Sequence, residues 1–136
     1  MRTRLLSTTG VLLAAGVLST AQPASAALAR PTGNPPRGLP CADNGSGAKA
    51  CFQAKGDRMW VKDDAIDGAS AVGVWQEYTG DAGWSKGYCR NKLGFGHWGA
   101  CRLHFIEGSY VKWWAAEYDA QTSSWTDWSA DQSATS

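Results

Sequence analysis

From about residue 50 onward the chain alternates apolar and polar residues with a period of two, and glycine, aspartate or asparagine interrupts the alternation roughly every 8–12 residues. That pattern predicts short strands over Ala50–Lys55, Arg58–Lys62, Ala71–Tyr78, Trp84–Arg90, Trp98–Ile106, Tyr110–Tyr118 and Ser124–Ser129. No stretch sustains a helical period, and no internal repeat is present. About seven short strands in so short a span predict an all-β fold, a small antiparallel β-sandwich (immunoglobulin-like) or a barrel. Gly56-Asp57 suits a two-residue hairpin turn with glycine at its first central position.

The strand from Trp98 carries Cys101, Leu103 and Phe105 on one face and Trp98, Arg102, His104 and Ile106 on the other. A Cys89–Cys101 bridge across a hairpin would set Gly87 beside Leu103 and Tyr88 beside Arg102. A three-residue loop, Glu107-Gly108-Ser109, keeps parity with the next strand. Leu103 then meets Trp113 inside, and Arg102 meets Trp114 outside. A three-stranded meander over Trp84–Tyr118 is therefore expected, with odd-numbered side chains of Trp98–Tyr118 inward. The dipeptide Trp113-Trp114 cannot sit on one face of a strand, so Trp114 is left on the outer one. Together with Trp84, Lys86 and Arg90, the residues Tyr88, Trp98, Arg102, His104, Tyr110, Lys112, Trp114 and Tyr118 then form an aromatic and cationic outer surface. Rings of this kind stack on the C–H faces of sugars, and the interspersed cations select an anionic ligand. The plain alternative is cross-strand support, with Arg102 stacked on Tyr88 or Trp114.

The flanking segments change the picture from fold to location. Arg2 and Arg4 precede the charge-free apolar run Leu5–Leu18, and Ala24-Ser25-Ala26 offers small residues for cleavage. Residues 1–26 therefore read as a secretory signal peptide, too short in its apolar part for a membrane anchor. Residues 27–40 hold four prolines and read as a disordered, extended leader. The β-domain is expected over 41–129, with a flexible tail over 130–136. The chain without its first 26 residues has 11 basic and 12 acidic residues, a balance that does not point to nucleic acid. Leu, Ile, Val and Phe make up only 13 of its 110 residues, and eight Trp and four Tyr stand in for them. A core so poor in aliphatics needs staples. Four cysteines in an exported chain imply two disulfides, with Cys41–Cys51 and Cys89–Cys101 favoured among three pairings because each brackets a turn-rich segment. Zinc is disfavoured, since no C-x-x-C knuckle is present.

Two further constellations carry chemistry. Asp63, Asp64 and Asp67 lie beside Gly68 in a loop where oxygen ligands suit calcium, but the spacing is not that of an EF-hand, and short carboxylates also cap turns. For catalysis, His97 and His104 stand apart from any nucleophile motif, and a hydrolase would have to pair Glu77 with Glu107 or Glu117. His97 reads instead as a loop-tip contact or a satisfied structural residue. The expectation is no enzyme, no cofactor and no resident metal.

The motifs Asp67-Gly68-Ala69-Ser70-Ala71-Val72, Cys89 and Cys101 about a glycine-rich turn, and Glu107-Gly108 before a valine strand resemble a group of small secreted actinobacterial β-domains. The resemblance covers about residues 50–128 and implies export and a β fold, without an activity. Members of that group often carry a further cysteine pair in and after the strand following Glu-Gly. Here Ala115, Ala116, Trp125 and Trp128 occupy those strands. The functional expectation is a secreted binding module for an anionic glycan or cell-wall polymer. The alternatives are a protein-interaction effector, such as a protease inhibitor or toxin, presenting the loop Gly94–Trp98, and a small-molecule carrier with a cleft between sheets.

Overall fold

The computed structural model describes residues 25–136, so the expected signal peptide, apart from its last two residues, lies outside the described part. All seven expected strands are present, and three more extend the sheets. The strands are β1 (Ser25–Leu28), β2 (Cys41–Asp43), β3 (Ala48–Gln53), β4 (Arg58–Asp63), β5 (Ser70–Tyr78), β6 (Trp84–Asn91), β7 (Trp98–Arg102), β8 (Tyr110–Asp119), β9 (Ser124–Thr126) and β10 (Gln132–Thr135). They form two open sheets rather than a barrel. The larger runs β1-β6-β5-β8-β10, with β9 also on β8, and the smaller runs β2-β3-β4-β7. All pairs are antiparallel except β1 with β6.

Both disulfides pair as expected, Cys41 with Cys51 and Cys89 with Cys101. Their roles differ. Cys41 and Cys51 are cross-strand partners in β2 and β3, so this bridge reinforces one hairpin. Cys89 lies on β6 and Cys101 on β7, in different sheets, so the second bridge spans the sandwich.

That bridge corrects the expected meander. β7 pairs with β4, setting Met59 beside Cys101 and Arg58 beside Arg102, while β8 pairs with β5. Gly87 faces Trp75 rather than Leu103. The inward alternation survives the change of partners, because Cys101, Leu103, Val111, Trp113 and Ala115 are all buried. A change of neighbouring strand leaves each residue's face intact, since parity belongs to the strand itself. The β3–β4 turn is also longer than expected. Gln53 faces Arg58, so four residues form the loop, with Gly56 and Asp57 both at positive φ.

The segments expected to lie free are paired. Before Pro31, β1 runs along β6, Ala29 is buried, and Arg30 exchanges both backbone hydrogen bonds with Ala100. At the other end, β10 covers the edge of β8, and the Ser136 hydroxyl donates to the Ile106 carbonyl. Unpaired backbone on an open sheet edge is what these segments remove.

Aromatic rings fill the space between the sheets. Trp113 is fully buried, its ring centroid 5.4 Å from that of Phe52, and its indole N–H donates to the Ala50 carbonyl of the facing sheet at 3.0 Å. Phe105 joins Phe52 to Trp75, at 5.7 and 5.0 Å. The sheets approach closely at Gly73, where a Cβ would come within 2.9 Å of Met59 Cγ and 3.1 Å of Val61 Cγ2. Gly73→Ala is therefore expected to cost about 1–3 kcal/mol in denaturant unfolding, by overpacking. Replacing both Cys89 and Cys101 by Ala should cost about 3 kcal/mol, the loop-closure value for so short a loop. A loss under about 0.5 kcal/mol in either experiment would contradict this packing.

Candidate functional site

Alternation along β5, β6 and β8 turns Tyr78, Gln76, Val74 and Val72 outward together with Trp84, Lys86, Tyr88 and Arg90, and with Tyr110, Lys112, Trp114, Ala116 and Tyr118. Cross-strand register sorts them into rows. Tyr78, Trp84 and Tyr110 form an aromatic row at one end, with centroids 5.3 and 6.1 Å apart. Gln76, Lys86 and Lys112 form the next, and Val74, Tyr88 and Trp114 the one after. Lys112 lies 3.6 Å from Asp131 and 5.3 Å from the Trp114 ring. Lys86 is exposed and in no ion pair among the described residues.

Five of the eight expected surface residues, Tyr88, Tyr110, Lys112, Trp114 and Tyr118, thus share the outer face of the larger sheet. The other three are placed elsewhere, which corrects the single-surface expectation. Trp98 and Arg102 lie on β7, on the outer face of the smaller sheet, and His104 follows them, exposed. Trp98 packs with Leu39 and Cys41 against Cys51, Trp60 and Ala100, with Lys62 5.9 Å from its ring.

Two tryptophans complete the first face. Trp125, the β9 partner of Tyr118, reaches across the sheet to within 5.4 Å of Tyr88, and Trp128 stacks on it at 5.9 Å and 29°. The diagonal from β9 to Tyr88 passes over Ala116 and Val72, which explains why these two outward residues are buried. Arg90 stacks on Tyr118 at 4.7 Å. Tyr88, Trp125 and Trp128 together line a cleft of about 280 Å³, with Val74, Gln76 and Lys86 also lining it. The signals for it are the Trp-x-x-Trp spacing and the small outward residues Val72 and Ala116, which leave room for rings lying flat.

The remaining candidates separate. Asp63 is buried and accepts the Ala65 N–H, Asp64 pairs with Lys62 at 3.0 Å, and Asp67 accepts the Ala69 N–H. Among the described residues no group of three or more His, Cys, Asp or Glu is placed to hold a metal ion. Glu77 accepts the Ile106 N–H and the Ser109 hydroxyl, holding the loop before β8. It is registered with Val111, whereas Glu117 lies six residues further along β8, about 20 Å away at strand rise. That is too far for a Glu77–Glu117 acid pair, which needs roughly 5–9.5 Å.

The loop between β6 and β7 is rigidly built. The buried Asn91 amide donates to the Val61 and His97 carbonyls at 2.8 Å, its oxygen accepts the Leu93 N–H, and Gly96 N–H donates to the Asp63 carbonyl. Phe95 and His97 are exposed at its tip. The inter-sheet space, where a carrier would keep its cleft, holds the Phe52, Trp75, Phe105 and Trp113 rings.

No family model, curated protein or solved structure matches the chain. The two disulfides fit an oxidising, extracellular setting. Among the described residues no helix is long and apolar enough to cross a membrane.

Glu117 lies on β8 opposite Thr126, beside the strand that carries Trp125. Burial, followed by the neighbouring carboxylates of Asp127 and Asp67, pushes its pKa up to about 7. Asp63 is raised as well, chiefly by burial. A carboxyl whose pKa is higher folded than unfolded adds stability that is complete below about pH 4.5 and is lost as pH rises through about 7. Unfolding free energy should therefore fall by on the order of 1–3 kcal/mol between pH 5 and pH 8. In Glu117→Gln most of that slope should vanish; an unchanged slope would refute the assignment.

Proposed function

We propose that the chain is an exported, non-catalytic binding module that takes an anionic carbohydrate or cell-wall polymer on the outer face of its larger sheet. The reading rests on one arrangement, the cleft lined by Tyr88, Trp125 and Trp128 with Lys86, in no ion pair among the described residues, at its side. Its volume suits one six-membered ring, for which the exposed indole of Trp128 and the Tyr88 ring supply apolar surface. Along β6, Trp84, Lys86 and Tyr88 project from the same face at ~6.6 Å intervals, so ring, charge and ring alternate along the strand. A chain of sugars carrying acidic groups presents the same alternation. Lys112, held by Asp131 and Trp114, adds a second cation in the row of Lys86.

Tryptophan fluorescence titrated with uronic-acid polysaccharides and cell-wall fractions tests the reading. Trp128→Ala and Lys86→Ala should each weaken binding about tenfold, the equivalent of ~1.4 kcal/mol. Trp98→Ala, on the opposite face, should leave it unchanged. Equal affinities in all three variants would contradict the proposal.

A second reading, protein recognition through the β6–β7 loop, is favoured by the exposure of Phe95 on a loop fixed by Asn91. Phe95→Ala should then abolish inhibition of a protease panel while leaving glycan binding intact. Inhibition unaffected by the substitution would exclude this loop.

A further inference from the structure

The outer face of the smaller sheet holds an arrangement that costs the fold stability. Arg58 on β4 and Arg102 on β7 are direct cross-strand partners on this face. Like charges placed directly opposite each other in a sheet are destabilising. The other like-charged pair on this face, Lys49 opposite Lys62, is compensated by Asp43 at 3.7 Å and Asp64 at 3.0 Å. Among the described residues no ion pair involves Arg58 or Arg102. The nearest acidic neighbour in sequence, Asp57, uses its carboxylate to accept the Phe105 N–H.

A third arginine extends the cluster. Arg30 bridges Ala100 in antiparallel fashion, which places it on the far side of β7 and one row from Arg102. Arg30 is exposed and likewise without an ion pair among the described residues. Between Arg30 and Arg102 lies a groove of about 580 Å³, with Leu28 and Ala100 also lining it. Arg30 and Arg58 thus lie on opposite sides of β7, which itself carries Arg102, their backbones roughly two strand spacings of about 4.8 Å apart and one row offset.

We propose that Arg30, Arg58 and Arg102 form a second binding site, for a linear polymer of phosphate groups. The guanidinium fork matches oxyanions bidentately, and closely spaced forks favour a ligand whose charges repeat at short intervals. The tryptophan rings on this face are engaged elsewhere. Trp60 is buried with its N–H on Gln53, and Trp98 is half-buried under Lys62. The site therefore offers charge without an open platform for a ring, in contrast to the cleft on the opposite sheet. A bound polyanion removes the Arg58–Arg102 repulsion, so the cost in the free protein becomes affinity in the complex. This site is independent of the carbohydrate reading.

The experiment is titration of the full chain with long-chain inorganic polyphosphate. Binding should weaken about 20- to 40-fold between 50 and 200 mM salt, as roughly three released counterions dictate. The double variant Arg58→Gln, Arg102→Gln should bind at least tenfold more weakly, and its unfolding midpoint should hold or rise because a repulsion has been removed. Trp128→Ala should bind like the parent protein. Full affinity in the double variant would overturn the proposal, as would loss of affinity in Trp128→Ala. Inorganic phosphate binding as tightly as the polymer would overturn the polymeric ligand. A single-stranded oligonucleotide of equal charge binding more tightly than polyphosphate would overturn the ring-free site.

Discussion

The clamp between β6 and β7 is the constraint from which the rest of the structure follows. Cys89 is completely buried, and its bond to Cys101 joins the two sheets where little aliphatic surface is available to do so. The Trp113 indole, donating across the core to Ala50, and the Asn91 amide, donating from β6 to Val61 on β4, make the same crossing with hydrogen bonds. Rings and staples together replace the Leu, Ile and Val of an ordinary sandwich. Each ring buries on the order of 150–250 Å², so three or four of them suffice for a domain this small.

Once β6 and β7 belong to different sheets, their outward side chains look in opposite directions. One outer face receives Trp84, Lys86, Tyr88, Tyr110 and Trp114 and is partly roofed by Trp125 and Trp128. The other receives Arg58, Arg102 and the paired lysines, with its rings tucked under Leu39 and Lys62. The near-zero net charge conceals this division. Among the described residues Arg58 and Arg102 face each other on the smaller sheet without an ion pair, while Asp63, Asp67, Asp127 and Glu117 gather at one end of the sandwich.

Much of this was legible in the residues. Strand positions and the inward set Cys101, Leu103, Val111, Trp113 and Ala115 follow from alternation, because a side chain's face is a property of its own strand. The local disulfide pairings follow from short separations around turns. Strand neighbours were not legible. A separation of 12 residues between Cys89 and Cys101 allows a hairpin bridge or a bridge across a sandwich, and periodicity is identical in both. The split of the expected surface into five residues and three follows from that ambiguity. Pairing of residues 25–30 and 132–135 was hidden for another reason: proline-rich and small polar segments signal disorder by composition, yet an open sheet edge can still recruit them through backbone bonds alone. The Trp125–Trp128 roof was half visible, in the spacing of the two rings but not in the burial of Ala116 beneath them.

The assignment of β6 and β7 to opposite sheets can be examined most directly by nuclear Overhauser contacts between backbone protons in solution. Contacts from Met59 to Cys101 and from Trp60 to Ala100, with none from Gly87 to Leu103, are the expected result. Strong contacts between Gly87 and Leu103 would place the two strands side by side in one sheet and merge the two faces that the account keeps apart.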